Sequence, residues 1–133
     1  MNLMFEPLRR YADFNGRARR SEYWLFWLFT WILEVVVFGI VGVTGGNLTS
    51  TNLGLGGILL CAIVLGLFVP SMAVLFRRLH DTDRSAWWVL IAFLPLLGGL
   101  VLLVFTVLDG TPGTNRFGRD PKSRAGDPLD YAV

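Results

Sequence analysis

The chain has 133 residues, of which 53% are hydrophobic and 17% are charged, and its formal net charge is +2. This composition is more apolar than that of ordinary soluble domains and favours a protein that lies in a lipid bilayer. The twelve Lys and Arg residues flank long uncharged runs and form no separate basic surface, which excludes nucleic acid as the expected partner.

The N-terminal residues predict a short helix. Apolar side chains recur at near-helical spacing between Leu3 and Phe14, with charged residues on the other faces. Such a segment is expected to lie in the headgroup layer and to end at Asn15. Ser21 is then expected to cap the next helix, with Glu22 in its first turn. Residues 1–22 are therefore interpreted as a basic, interfacial leader.

Residues 23–43 are the first predicted membrane span. At 1.5 Å per residue they extend about 31 Å, which matches a hydrocarbon core of about 30 Å. Tyr and Trp rings crowd their first half, as is typical near a membrane interface. Glu34 stands near the middle and costs about 2.5–3.5 kcal/mol if charged, whereas the apolar residues around it contribute about −4 to −8 kcal/mol. The span is therefore expected to insert.

Residues 57–76 are the second predicted span, after an uncharged loop over residues 44–56. The single cysteine of the chain, Cys61, lies within this span, so an intramolecular disulfide is excluded and a packing role is expected. Pro70 is expected to kink the helix rather than to end it, provided that a neighbour or Ser71 satisfies the freed carbonyl.

Residues 87–108 are the third hydrophobic segment, long enough to cross but interrupted by Pro95 and by Gly98-Gly99. A polar tail, residues 109–133, follows, and it is expected to be disordered from about residue 121. The whole chain is thus expected to be one all-α membrane domain, with its bundle over residues 23–108.

The Lys and Arg residues of the short loops predict the orientation. Five precede the first span, none lies in residues 44–56, and three lie in residues 77–86, so the N-terminus and residues 77–86 are expected to be cytoplasmic. Three full spans would place the basic tail outside, against the same rule. The alternative is a re-entrant hairpin over residues 87–108, whose turn would leave backbone groups unpaired in lipid unless other helices cover it. Three spans are the first expectation.

Three motifs occur in order along the chain. They are YADFNGRARRSEYW at residues 11–24, RRLHDT with RSAWW between residues 77 and 88, and PGTNRFG with DP between residues 112 and 121. With these motifs the chain resembles the YhaH-type family of small bacterial inner-membrane proteins, a family of unknown function (DUF805). The resemblance implies a multi-pass protein of the bacterial inner membrane and no assigned activity. The family pattern commonly has glycine where this chain has Asp83.

Residues 77–86 form a charged hinge that holds the only histidine. His80 and Asp83, at i and i+3, are the closest approach to a catalytic dyad, but no nucleophile stands at a fixed spacing from them. One His and one Cys also make a zinc site uncommon. We therefore expect no catalytic residues, no metal and no cofactor. Arg77 and Arg78 are instead expected to fix the topology, with Arg77 paired to Asp81 at i+4 and the Trp pair anchored at the headgroups.

The basic side chains near the interface also predict anion recognition, because guanidinium groups hold phosphate through paired hydrogen bonds. The partner would be the headgroup of an anionic phospholipid or another membrane protein. Glu22 is expected to lie within reach of Arg77 or Arg78. The candidate residues of this binding face are Arg17, Arg20, Glu22, Trp24, Arg77, Arg78, His80, Asp81, Arg84, Ser85, Trp88, Asn115 and Arg116.

Glu34 is the candidate polar site inside the membrane. We expect a neutral carboxyl that is hydrogen-bonded to a Ser, a Thr or a backbone carbonyl, in space left by Gly66 and Gly98-Gly99. The sequence thus predicts a non-catalytic binding or regulatory protein. The alternatives are a transport or proton-handling protein that uses Glu34 and, less favoured, a membrane-embedded enzyme that uses His80.

Overall fold

The computed structural model describes residues 3–43 and 54–123, and these residues form helices joined by turns. A 3-10 turn, Leu3–Phe5, leads into α1 (Glu6–Arg9). Two long helices follow, α2 (Arg20–Val43) and α3 (Gly54–Asp81). The 3-10 helix Ala86–Phe93 and α4 (Leu97–Val107) complete the described chain. The predicted all-α class is confirmed.

Helices α2 and α3 are the two described helices that are long and apolar enough to cross a membrane. Their 24 and 28 residues extend about 36 and 42 Å, more than a hydrocarbon core of about 30 Å. Their outer faces expose large apolar side chains, such as Phe38 at 59% and Leu65 at 71%. Such a surface suits lipid, so α2 and α3 indicate a membrane protein.

Helices α2 and α3 extend beyond the predicted spans. Helix α2 begins at Arg20, so Ser21 lies in its first turn rather than at the cap, whereas Glu22 is in the first turn as expected. Helix α3 continues through the first half of the hinge to Asp81 and ends just before Asp83, which takes a left-handed φ of 56°. Most of the predicted loop over residues 44–56 lies outside the described residues, as does the end of the tail.

The leader contains a shorter helix than expected. Helix α1 ends at Arg9, because the Asp13 carboxylate accepts a hydrogen bond from the Asn15 N–H at 3.0 Å and pairs with Arg10 at 2.6 Å. Such local side-chain bonds compete with helix continuation. The leader packs along α2 and α3, with the rings of Phe5 and Phe29 5.4 Å apart.

Pro70 lies inside α3 without ending it, as expected. A proline has no N–H for the carbonyl four residues earlier, which here is Gly66. The Tyr11 hydroxyl donates a hydrogen bond to that carbonyl. The leader, rather than Ser71, therefore satisfies the group that Pro70 leaves unpaired.

Residues 87–108 do not form one continuous helix. The 3-10 helix Ala86–Phe93 and α4 are two arms of a hairpin, whose turn contains Pro95 and Leu96, the latter with φ 64°. The arms meet closely at Gly98, where a Cβ would lie 1.8 Å from the Ile91 carbonyl oxygen. The 11 residues of α4 extend about 16 Å, roughly half of a hydrocarbon core.

The protein core lies at the end of the bundle where α2 begins and α3 ends, which we call the basic end. Ala18, Phe26 and Val74 form its buried apolar cluster. The chain returns to this end after α4, because the Thr111 N–H donates to the Asp81 carbonyl at 2.8 Å. Leader, hinge and tail are therefore packed against one another.

Candidate functional site

Asp81, the last residue of α3, lies at the centre of the basic end. Its Oδ1 accepts a hydrogen bond from Arg17 Nε at 2.9 Å, and its Oδ2 accepts one from Arg78. The Arg17 and Asp81 side chains are each 1% exposed. Gly110 passes so close that a Cβ would lie 2.2 Å from Oδ2. Asp81 therefore joins the leader to α3 at a point where the tail admits only glycine.

Arg17 also holds the tail. Its Nη2 donates to the Thr111 carbonyl at 2.5 Å and its Nη1 to the Gly113 carbonyl at 2.6 Å. Together with the bond from Nε to Asp81, every nitrogen of the planar guanidinium therefore donates a hydrogen bond. The guanidinium of Arg17 is therefore occupied by acceptors of the protein itself.

Arg78 is occupied in the same way. Its Nε donates to the Thr106 carbonyl at 3.1 Å and its Nη2 to the Leu108 carbonyl, at the C-terminal end of α4. A cation at this place satisfies carbonyls that a helix end leaves unpaired. The expected pair between Arg77 and Asp81 is wrong, since Arg78 points to Asp81 instead.

Arg77 pairs with Glu22 on α2, at 3.2 Å between Nη1 and Oε1, which confirms that Glu22 reaches this part of the hinge. The two side chains are 0% and 7% exposed. Within the described ranges, the Arg77 nitrogens and Glu22 Oε1 have no hydrogen-bond partner. The pair is therefore a contact between buried charges that lacks supporting hydrogen bonds.

His80 and Asp83 do not form the dyad considered above. The His80 ring stacks on Phe117 with centroids 4.0 Å apart, and Nδ1 lies 3.2 Å from the Gly16 carbonyl oxygen. Asp83 pairs instead with Arg116 at 3.1 Å. Within residues 3–43 and 54–123, no group of three or more His, Cys, Asp or Glu side chains could hold a metal ion. His80 thus connects leader and tail.

The remaining predicted residues of the hinge and tail hold the hinge, the hairpin and the tail together. Asn115 Nδ2 donates to the His80 carbonyl at 2.9 Å. Ser85 accepts a hydrogen bond from the Trp87 N–H at 3.4 Å and caps the 3-10 helix. The Arg84 guanidinium lies 4.1 Å over the ring of Phe105, and Trp88 meets the same ring edge-on at 5.4 Å. Arg84 and Trp88 therefore hold the hairpin together.

An open pocket of about 610 Å³ lies between the start of α2 and the tail, and we call it the basic pocket. Arg20 and Lys122 both contact the Asp109 carboxylate, at 2.8 and 2.9 Å. The hydrogen bond from Lys122 lowers the pKa of Asp109. The lining residues are Arg19, Arg20, Ser21, Trp24, Val107 and Lys122.

Two of the predicted site residues, Arg20 and Trp24, line this pocket, whereas Arg17, Arg77 and Arg78 lie in the interior. Sequence reasoning missed Arg19 and Lys122. Arg19 stands in the same basic run as Arg20, so its neighbourhood was visible in the sequence. Lys122 had no such signal, because only the return of the tail brings it to α2.

Glu34 is half-buried on α2 and lines a second groove, of about 510 Å³, between α2 and α3. Neither Gly66 nor Gly98-Gly99 lines this groove. The prediction that these glycines leave the space around Glu34 is therefore wrong. In the part of the chain that the structure describes, no Ser or Thr lines the groove either. The other lining residues are Trp31, Val35, Phe38, Gly39, Leu60 and Val64.

Comparison with known proteins identifies relatives over nearly the whole chain. The chain is 44% identical to the inner membrane protein YhaH of Escherichia coli K12 over 122 residues, which cover 92% of this chain and 98% of that protein. It is 45% identical to inner membrane protein YhaI of the same strain over 122 residues, at 92% and 97% coverage.

A more distant relative is the uncharacterized protein YiiR of Escherichia coli K12, 27% identical with 81% of this chain and 85% of that protein covered. No solved structure matches the chain. Residues 11–119, which include the second half of the leader, both long helices, the hairpin and the first part of the tail, match the family described as protein of unknown function DUF805. This protein is therefore a membrane protein that belongs to the DUF805 family.

Proposed function

We propose that this protein is a non-catalytic binding module of the bacterial inner membrane that holds the headgroup of an anionic phospholipid in its basic pocket. The observation that carries the proposal is the pocket itself, in which Arg19, Arg20 and Lys122 meet beside Trp24 at the start of a membrane helix. Binding rather than turnover is favoured because Asp81 and His80 are engaged in holding leader, hinge and tail together.

The charge of the pocket suits a phosphate. Asp109 offsets one of the three cations, so the pocket keeps an excess of positive charge. A basic side chain near an anionic lipid surface contributes about 1 kcal/mol to the attraction. The Trp24 indole N–H lies 3.3 Å from the Thr106 carbonyl oxygen, which fixes the ring at the depth where aromatic side chains favour the interface.

The proposal includes a topology of two crossings. The contacts of Arg17 with Asp81 and Gly113 support placing the leader, hinge and tail on one side of the membrane. Helices α2 and α3 then cross, and the hairpin enters and leaves on the same side. This arrangement gathers the Lys and Arg residues of the described chain at one end, which the positive-inside rule assigns to the cytoplasm.

The binding proposal is tested by thermal unfolding of the purified protein in detergent micelles. Short-chain phosphatidylglycerol should raise the midpoint more than short-chain phosphatidylcholine does, because a ligand of the native state stabilises it. In the double variant Arg20→Gln/Lys122→Gln, the affinity for phosphatidylglycerol should fall about thirtyfold, at about 1 kcal/mol for each lost charge.

The matched control is Arg9→Gln/Arg119→Gln, which removes two exposed charges outside the pocket. The control should keep the affinity for phosphatidylglycerol. If both double variants lose affinity equally, the lipid responds to the overall charge and not to this pocket. Stabilisation by an acidic peptide and none by phosphatidylglycerol would assign the pocket to a protein partner.

A further inference from the structure

The groove around Glu34 differs from the basic pocket in depth and chemistry. Glu34 follows Arg20 by fourteen residues in α2, so it lies about 21 Å along the helix from the basic end. The groove opens sideways between α2 and α3, and Trp31 and Phe38, on its α2 side, are 52% and 59% exposed. A molecule dissolved in the bilayer could therefore enter the groove from the lipid.

One polar group and two aromatic rings define what this groove can recognise. Among the described residues, no Lys or Arg lines the groove, so Glu34 has no cationic side chain beside it there. Trp31 precedes Glu34 by three residues and Phe38 follows it by four, which places all three side chains on one helix face. Aromatic faces attract cations electrostatically, and more strongly where water is absent.

The volume of the groove, about 510 Å³, falls in the range of about 300–1,000 Å³ that is usual for pockets holding drug-sized molecules. We propose that the groove binds a lipophilic organic cation, with the positive centre at the Glu34 carboxylate and the apolar substituents against Trp31 and Phe38. Leu60 and Val64 of α3 form the opposite, apolar wall.

This assignment gives a reason for the presence of Glu34 in a groove that is otherwise apolar. A carboxylate in the hydrocarbon region is costly without a partner. A bound cation supplies the missing charge, and its apolar substituents replace lipid chains in the groove. An anion would be repelled by Glu34, and a small hydrated cation would leave the apolar walls without a function.

The test uses the full-length protein in detergent micelles and radiolabelled tetraphenylphosphonium as the probe, with binding measured by equilibrium dialysis against empty micelles. Glu34→Gln, which is nearly isosteric, should weaken the binding of tetraphenylphosphonium at least about tenfold, because one partner of a desolvated charge pair is lost. Trp31→Leu should weaken it about three- to tenfold through the lost aromatic face.

Two controls make the result specific. Glu6→Gln removes an acid at the basic end and should leave the affinity unchanged. Triphenylphosphine oxide, which is uncharged, should bind wild type and Glu34→Gln equally, so that only the preference for the cation is lost.

Equal affinity of wild type and Glu34→Gln for tetraphenylphosphonium would overturn the proposal. A change of oligomeric state in Glu34→Gln with unaltered cation affinity would also overturn it and would show that a second copy covers the groove. Neither result bears on the proposed binding of lipid in the basic pocket, since that test changes other residues at another depth.

Discussion

The Asp81 carboxylate pairs with two arginines, Arg17 from the leader and Arg78 from the preceding turn of α3. Removing a charged group from water costs several kcal/mol, and the attraction between buried charges offsets this only when further hydrogen bonds satisfy the remaining groups. Here backbone carbonyls of the tail and of α4 accept those bonds. The arginines that looked like a ligand-binding cluster in the sequence are therefore components of the fold.

Asp83 shows how a backbone requirement appears in the sequence. Its φ of 56° is left-handed, a conformation that glycine adopts without steric cost and that Asp tolerates better than most residues. The glycine that the resemblance implies at this position would adopt this conformation without strain. The side chain that Asp83 carries instead pairs with Arg116 on the tail.

The hydrogen bond from the Tyr11 hydroxyl to the Gly66 carbonyl can be tested by a single substitution. Tyr11→Phe removes only the hydroxyl and leaves the Gly66 carbonyl without the donor that replaces the missing N–H of Pro70. We expect the free energy of unfolding to fall by about 0.5–1.5 kcal/mol, the usual net contribution of one intramolecular hydrogen bond, because this bond lies on the outer surface of the bundle. The measurement is denaturant unfolding in micelles.

The double variant Tyr11→Phe/Pro70→Ala serves as the control, because alanine restores the N–H that can reach Gly66. In the Pro70→Ala background, Tyr11→Phe should cost clearly less than in the wild-type background, and the difference is the coupling energy of the two sites. Identical costs in the two backgrounds would mean that Tyr11 contributes by packing alone.

The hairpin that is formed by the 3-10 helix Ala86–Phe93 and α4 differs more from its predicted single span than any other described element does. Its 22 residues would suffice for one crossing, but Pro95 interrupts the helix and Gly98 lets the two arms approach. Arg78 and Trp24 then bind carbonyls near the end of α4. These contacts hold both ends of the hairpin at the basic end.

Gly98 and Gly99 give a matched pair of substitutions for this element. In Gly98→Ala the new Cβ would lie 1.8 Å from the Ile91 carbonyl oxygen, whereas in Gly99→Ala it would meet nothing within 4 Å. We expect Gly98→Ala to lower the free energy of unfolding by about 1–3 kcal/mol, as overpacking does. Gly99→Ala should leave it nearly unchanged. Equal effects of the two substitutions would contradict the close approach of the arms.

On the scale of the whole molecule, the three sequence motifs meet at one end of the bundle. Arg17 comes from the first motif, Asp81 from the second and Gly113 from the third, and hydrogen bonds from Arg17 reach both of the others. Helices α2 and α3 and the hairpin bring these segments together. The basic pocket forms at their border because the tail passes beside the start of α2.

The topology is tested by labelling single-cysteine variants in a Cys61→Ala background. Single cysteines are placed at positions Asn15, Thr49 and Arg119, and an impermeant thiol reagent is applied from outside. The cysteine at position 49 should react with it. The cysteines at positions 15 and 119 should react only after the membrane is opened. Three full crossings would instead expose Arg119 to the external reagent. External labelling of Asn15 would reverse the orientation.

Several features of this protein follow from local sequence. The all-α class, the positions of two long apolar helices, the passage of α3 through Pro70 and the pairing of Glu22 with the hinge were all predictable. Hydrophobic length and charge placement are local properties, and the free energy of lipid burial acts on each segment separately.

Other features depend on contacts between distant residues. The pairing of Arg17 with Asp81, the hydrogen bond from Tyr11 to the Gly66 carbonyl and the place of Lys122 in the basic pocket each join segments that only the fold brings together. A buried donor or acceptor binds whichever partner the packing presents, and spacing along one helix does not reveal that partner. The tertiary structure therefore decided which arginines hold the fold and which side chains line the basic pocket.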